Sequence, residues 1–194
     1  IAGCKVAEDN KSLLAGVKPA PINLFNARTI KPSDLDVKYI GQKIRVIKAL
    51  DGELLTEEIL QIPKVQNQTI VADPDRDILL LTVVNRYRPT QPALAFIQGF
   101  GLQQGALASS VAHDSHNIIA VGTDADLICS AINSVITAKG GISAASLKGV
   151  ELLPLPIAGL MSDFDGDSVA KRYAELDRLA KQMGSKLHAP FMTL

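Results

Sequence analysis

The stretch Gly-Ala-Leu-Ala-Ser-Ser-Val-Ala-His-Asp-Ser-His-Asn-Ile-Ile-Ala-Val, residues 105–121, decides how this chain folds. Residues 105–112 are small and apolar, as in a buried strand, and Ile118 to Val121 form a second apolar strand. Between them His113, Asp114, Ser115, His116 and Asn117 place two imidazoles, a carboxylate, a hydroxyl and an amide in succession. A buried polar group without a partner costs roughly 1–3 kcal/mol. The five therefore need either a hydrogen-bond network of their own or a ligand.

Upstream of this stretch the chain reads as strands. Lys43 to Leu50 and Glu53 to Ile62 flank Asp51-Gly52, a two-residue turn signal. Thr69 to Ala72 is a short strand, and Asp73 to Asp77 is a turn. Ile78 to Arg86 is apolar up to Asn85, as in a strand buried on both faces. Ala93 to Phe100 is another strand candidate.

Downstream the period changes. Thr123-x-x-Asp126 has the form of a capping box, and Leu127, Ile128, Ala131, Ile132, Val135 and Ile136 follow at helical spacing up to Gly140-Gly141. Strands follow at Ile142–Leu147 and Val150–Leu153, around a Lys148-Gly149 turn. A last helix spans about Asp167 to Met183, with Val169, Tyr173, Leu176, Ala180 and Met183 as its apolar stripe and Gly184 as its stop. Strands run before helices, which favours an α+β fold over alternating α/β. The expected architecture is a mostly antiparallel sheet of about eight strands with two helices, preceded by an extended linker.

That linker is residues 16–37, where Pro19, Pro21 and Pro32 hold the backbone extended and no helical period exists. Residues 1–15 read as two short strands around the polar turn Glu8-Asp9-Asn10-Lys11, the end of a small β domain whose other strands precede Ile1. The main domain is residues 38–194.

The 194 residues carry 20 basic and 20 acidic side chains, a formal net charge of zero. With no basic run, nucleic acid is not an expected partner. The chain is 47% hydrophobic, enough for a packed core, but has no apolar run of the roughly 18–20 residues a membrane span needs. Cys4 and Cys129 make no Cys-x-x-Cys unit, and a reducing, cytoplasmic setting is expected. A start at Ile1, without Met or a signal pattern, fits a fragment.

Four constellations invite a chemical reading. The three histidines, His113, His116 and His188, make no metal-binding motif, so no metal or cofactor site is expected from this chain alone. Ser109, Ser110 and Ser115 stand near His113, Asp114 and His116, but a working triad converges from separate elements, and there is no Gly-x-Ser-x-Gly elbow. Gly99-x-Gly101-x-x-x-Gly105 matches no phosphate-binding fingerprint and reads as turn glycines. Asp163, Asp165 and Asp167 precede a helix and read as cap and first-turn acids rather than a calcium loop. The candidates that remain are His113, Asp114, Ser115, His116 and Asn117. Either they face a ligand held mostly by another domain, or they form a self-satisfied turn.

Several segments together resemble the C-terminal domain of bacterial adenine deaminases, members of the amidohydrolase superfamily. These are Asn85-Arg86-Tyr87, Ala93 to Leu102, Gly105 to Ile119, Val71 to Asp77, Glu151 to Asp163 and Pro190 to Leu194. The resemblance covers about residues 38–194, and residues 1–15 are similar to the end of the small β domain beside the family's catalytic barrel. It implies a parent enzyme that hydrolyses adenine to hypoxanthine and ammonia. It also implies an upstream barrel with a divalent metal, manganese or iron, whose ligands this chain lacks. The fragment is expected to be inactive alone and to partner its own N-terminal barrel within a cytoplasmic homo-oligomer. The polar cluster would face the barrel's active site or a subunit interface. The alternatives are a non-catalytic assembly or regulatory module, and the same domain of a paralogue acting on another aminopurine.

Overall fold

A computed structural model describes residues 2–9, 11–16 and 20–194. Asn10 of the predicted first turn and Val17 to Pro19 of the predicted linker lie outside the described residues. The first hairpin pairs β1 (Ala7–Glu8) with β2 (Lys11–Ser12). A small sheet has the order β3-β7-β6, from β3 (Val37–Lys38), β6 (Lys64–Gln66) and β7 (Thr69–Val71).

The main sheet has eight strands. In chain order they are β4 (Ile44–Lys48), β5 (Glu57–Gln61), β8 (Leu79–Val84), β9 (Ala93–Gln98), β10 (Ala106–Ser109), β11 (Ile118–Gly122), β12 (Gly141–Ser146) and β13 (Gly149–Pro154). Their order in space is β13-β12-β10-β11-β8-β9-β4-β5. Every pairing is antiparallel except β4 with β9. The fold is α+β, as the run of strands before helices predicted.

Helices cover both faces. The period-2 alternation of β8 divides its side chains, Leu80 and Val84 to one face, Leu79 and Leu81 to the other. The first face packs against α1 (Ala125–Thr137), through Ile128, Ala131, Ile132 and Val135. Small residues on β10, β11 and β12, namely Ala106, Ala108, Ala120 and Ala145, make room for that helix. The second face packs against Leu176 and Ala180 of α2 (Gly166–Gln182) and Phe191 of α3 (Pro190–Thr193).

Several details depart from expectation. Among the described residues there are three α-helices, not two, because Pro190 starts a short helical turn in the apolar tail. The cap of α1 is Asp124, not Thr123, and its carboxylate accepts from the Asp126 and Leu127 amides at 2.9 and 3.1 Å. The strand expected from Glu53 starts only at Glu57. At the preceding turn Gly52 has positive φ and Asp51 does not, so a two-residue type I′ hairpin does not form.

Residues 20–31 have no regular structure, yet they are strapped to the domain. The Asn23 amide donates to Lys139 O and Pro156 O, and the Asn26 amide N–H donates to Arg86 O at 2.6 Å. Ile30 is buried and exchanges two 2.9 Å hydrogen bonds with the Asn133 side chain of α1. The Arg28 guanidinium grips Asp34 with two bonds, holding that carboxyl well below its ordinary range, at about 2. The packed unit thus extends upstream of Lys38.

Among the described residues two buried hydroxyls, those of Thr82 and Ser185, have no partner. Thr82 of β8 is fully buried, and its Oγ1 makes no hydrogen bond. Thr82→Val keeps the shape and removes the unsatisfied group. It is expected to stabilise the fold by about 1 kcal/mol, a rise of about 2–4 °C in melting temperature. A fall in melting temperature would show that the hydroxyl does have a partner.

Candidate functional site

The site lies at one end of the main sheet, where β8 and β10 end and β11 begins. After Ser109 the chain leaves β10, and the His116 amide closes a turn onto Ala112 O at 2.8 Å. Asp114 (φ 66°) and His116 (φ 49°) are left-handed, a conformation that costs a non-glycine residue roughly 1–2 kcal/mol. The turn exposes His113, Asp114 and Ser115 and leaves His116 and Asn117 half-buried.

Its backbone is tied down on three sides. The Ser115 Oγ accepts from the Asn117 amide at 3.4 Å, and Tyr87 Oη donates to Ser115 O at 3.5 Å. The Asn117 Oδ1 accepts from the Arg86 amide at 3.4 Å. The side chains are less engaged. Among the described residues the His113 ring and the Asp114 carboxylate make no hydrogen bond or ion pair, and His116 Nδ1 is buried without a partner. The turn is therefore anchored through the His116 and Asn117 amides and the Ser115 carbonyl, and open in its imidazoles and carboxylate. Such groups can accept or donate a proton to a bound molecule.

The other predicted constellations lie elsewhere. The His188 amide donates to Asp51 Oδ1 at 3.0 Å, just past the end of strand β4, and does not join His113 and His116. Among the described residues no three His, Cys, Asp or Glu side chains converge as metal ligands. Ser109 and Ser110 are buried and hydrogen-bonded to main chain, which makes them structural. The Gly99 and Gly101 amides do form an anion cradle, but Asp77 fills it, with carboxylate bonds of 2.8 and 2.7 Å. Asp165 caps α2, and its bonds from Ser168 lower its pKa. Burial pushes the Cys129 thiol up to about 11, which keeps it protonated and unreactive.

Two features escaped the sequence. Beside His113 an apolar groove of about 540 Å³ is lined by Val111, Ile142, Met161, Val169 and Tyr173. The role of Arg86 and Tyr87 in holding the turn also escaped, although Asn85-Arg86-Tyr87 is among the segments that carry the resemblance.

A family model of the adenine deaminase C-terminal domain matches residues 53–194. The chain belongs to that family. A relative named adenine deaminase from Salinibacter ruber is 49% identical over 196 residues, covering the whole of this chain and 36% of its own length. Relatives of the same name from Methanosarcina barkeri and Sulfurovum sp. are 43% and 46% identical, with 37% and 35% of their lengths covered. The chain spans about a third of the length of these relatives. Within this adenine deaminase C-terminal domain, the segment from Gly105 to Ile119 that carries the resemblance in sequence is β10, the polar turn and the start of β11.

Proposed function

We propose that this domain serves a protein that hydrolyses adenine to hypoxanthine and ammonia, and that its 113–117 turn closes over the active site of the upstream catalytic part. One observation carries the reading. The turn fixes its own backbone while His113 and Asp114 stay exposed and uncommitted.

The attack on adenine belongs to groups outside this chain. What the turn can supply is local: a hydrogen bond to the purine, a proton for the departing amine, and exclusion of water. The family resemblance supports the metal, manganese or iron, and self-association; the cysteine usage supports a cytoplasmic setting, and the lack of metal-ligand motifs supports inactivity of this chain by itself.

In the full-length protein His113→Ala and His116→Ala are each expected to lower kcat/KM for adenine at least tenfold, about 1.4 kcal/mol. Their melting temperatures should stay near the parent value. A loss below about threefold with folding intact removes the turn from catalysis.

The groove favours a second reading, an assembly or regulatory module, because Met161 and Phe164 beside it are 55% and 53% exposed. Normal adenine deamination by a protein lacking this domain, together with loss of its oligomeric state, would select that reading.

A further inference from the structure

Arg86 is 5% exposed, and among the described residues no carboxylate pairs with it. A buried cation without a counter-charge is expensive, and an apolar side chain would fill the space at lower cost. What arginine offers here is a plane with two faces and a directed fork of donors. Its Cζ lies 4.8 Å from the Tyr87 ring centroid and 5.8 Å from that of Phe25. Its Nη1 donates to Ala158 O at 2.5 Å and its Nη2 to Tyr87 Oη at 3.1 Å. Gly159 leaves the space the guanidinium needs, since a Cβ there would lie 1.9 Å from Nη1.

Three segments far apart in sequence meet at this residue. The strap brings Phe25, and its Asn26 amide bonds Arg86 O. The polar turn brings Asn117, which accepts from the Arg86 amide, and Ser115, which accepts from Tyr87. The loop after β13 brings Ala158, whose own amide bonds Ile22 O of the strap. The strap is the part of the unit nearest in sequence to whatever precedes it.

We infer that Arg86 is a positioning residue that locks the strap and the 113–117 turn into one rigid body, so that the turn's placement over the upstream part is set through this guanidinium. The catalytic consequence rests on the function proposed above; the mechanical coupling does not. The test is hydrogen exchange by mass spectrometry on the full-length protein, with adenine deamination measured in parallel. Arg86→Lys keeps the charge but loses the plane and fork. Phe25→Leu alters the strap's face of the stack, where Phe25 also packs on the core, and removes none of the turn's hydrogen bonds.

Both variants are expected to speed exchange at least tenfold in peptides covering 22–27 and 112–117 together, with α1 and β8 unchanged. Arg86→Lys is expected to lower kcat/KM in proportion. If Phe25→Leu loosens the strap and leaves the turn at the parent rate, the inference is overturned, whatever Arg86→Lys does to folding. If both segments loosen and kcat/KM holds, the clamp stands and the active-site reading of the turn falls.

Discussion

Gly99→Ala is expected to lower the melting temperature by about 6–12 °C, a loss of about 3 kcal/mol in a domain of this size. Gly99 has φ 110°, outside the regions open to L-residues, which alone costs of order 1–3 kcal/mol. A Cβ there would also sit 2.3 Å from Ala49 O, a main-chain atom that cannot swing aside. Ala49 is held by its amide bond to Gln98 O at 2.8 Å, next to the parallel β4–β9 pair. Moving either backbone disturbs that pairing and the Asp77 bond to the Gly99 amide. Gly52→Ala is the control, because Gly52 also has positive φ, at 75°, but open space around it. It should cost about 1 kcal/mol, the left-handed penalty without the clash. Equal losses in thermal melts of the two variants would mean that backbone strain, not the contact with Ala49, decides the effect.

The same loop shows what a sequence can and cannot carry. Its glycines announce a turn, and that is what they make. Nothing local reveals that the amides would point at a carboxylate, because Asp77 comes from a different loop. The elements with strong patterns were legible: β8 by an apolar run interrupted only by Thr82, and α1 by its 3.6-residue period. The strand β6, Lys64-Val65-Gln66, was not, because two of its three residues are polar and its pairing partner β7 supplies the reason it is a strand. Strand order was beyond reach. The parallel β4–β9 contact joins segments separated by β5 to β8, and periodicity encodes faces, not neighbours. At the site, five polar residues between apolar strands were visible as an anomaly. Which of them were already satisfied was not, since the partners of Ser115 and Asn117 lie on Tyr87 and Arg86. Arg86 itself reads as a charged strand end until Phe25 arrives from the strap.

Ser110→Ala is expected to cost about 3 kcal/mol, although serine and alanine differ by one atom. Ser110 is fully buried where β10 gives way to the polar turn. Its Oγ donates to Gly159 O at 2.6 Å and accepts from the Gly141 amide at 2.9 Å. The hydroxyl therefore ties β10 to the start of β12 and to the loop that carries Ala158 against Arg86. Alanine leaves a buried carbonyl and a buried N–H without this partner, at roughly 1–3 kcal/mol each. The melting temperature should fall by about 6–12 °C. Ser115→Ala removes an exposed hydroxyl bonded only to the Asn117 amide two residues on, and should change it by less than about 2 °C. The pair also decides between two roles for serines beside histidines. A structural Ser110 predicts an unstable variant whose kcat for adenine, measured below its melting transition in the full-length protein, stays within about threefold of the parent. A variant as stable as the parent but without activity would instead make Ser110 a reacting group, and its burial between two glycine backbones argues against that.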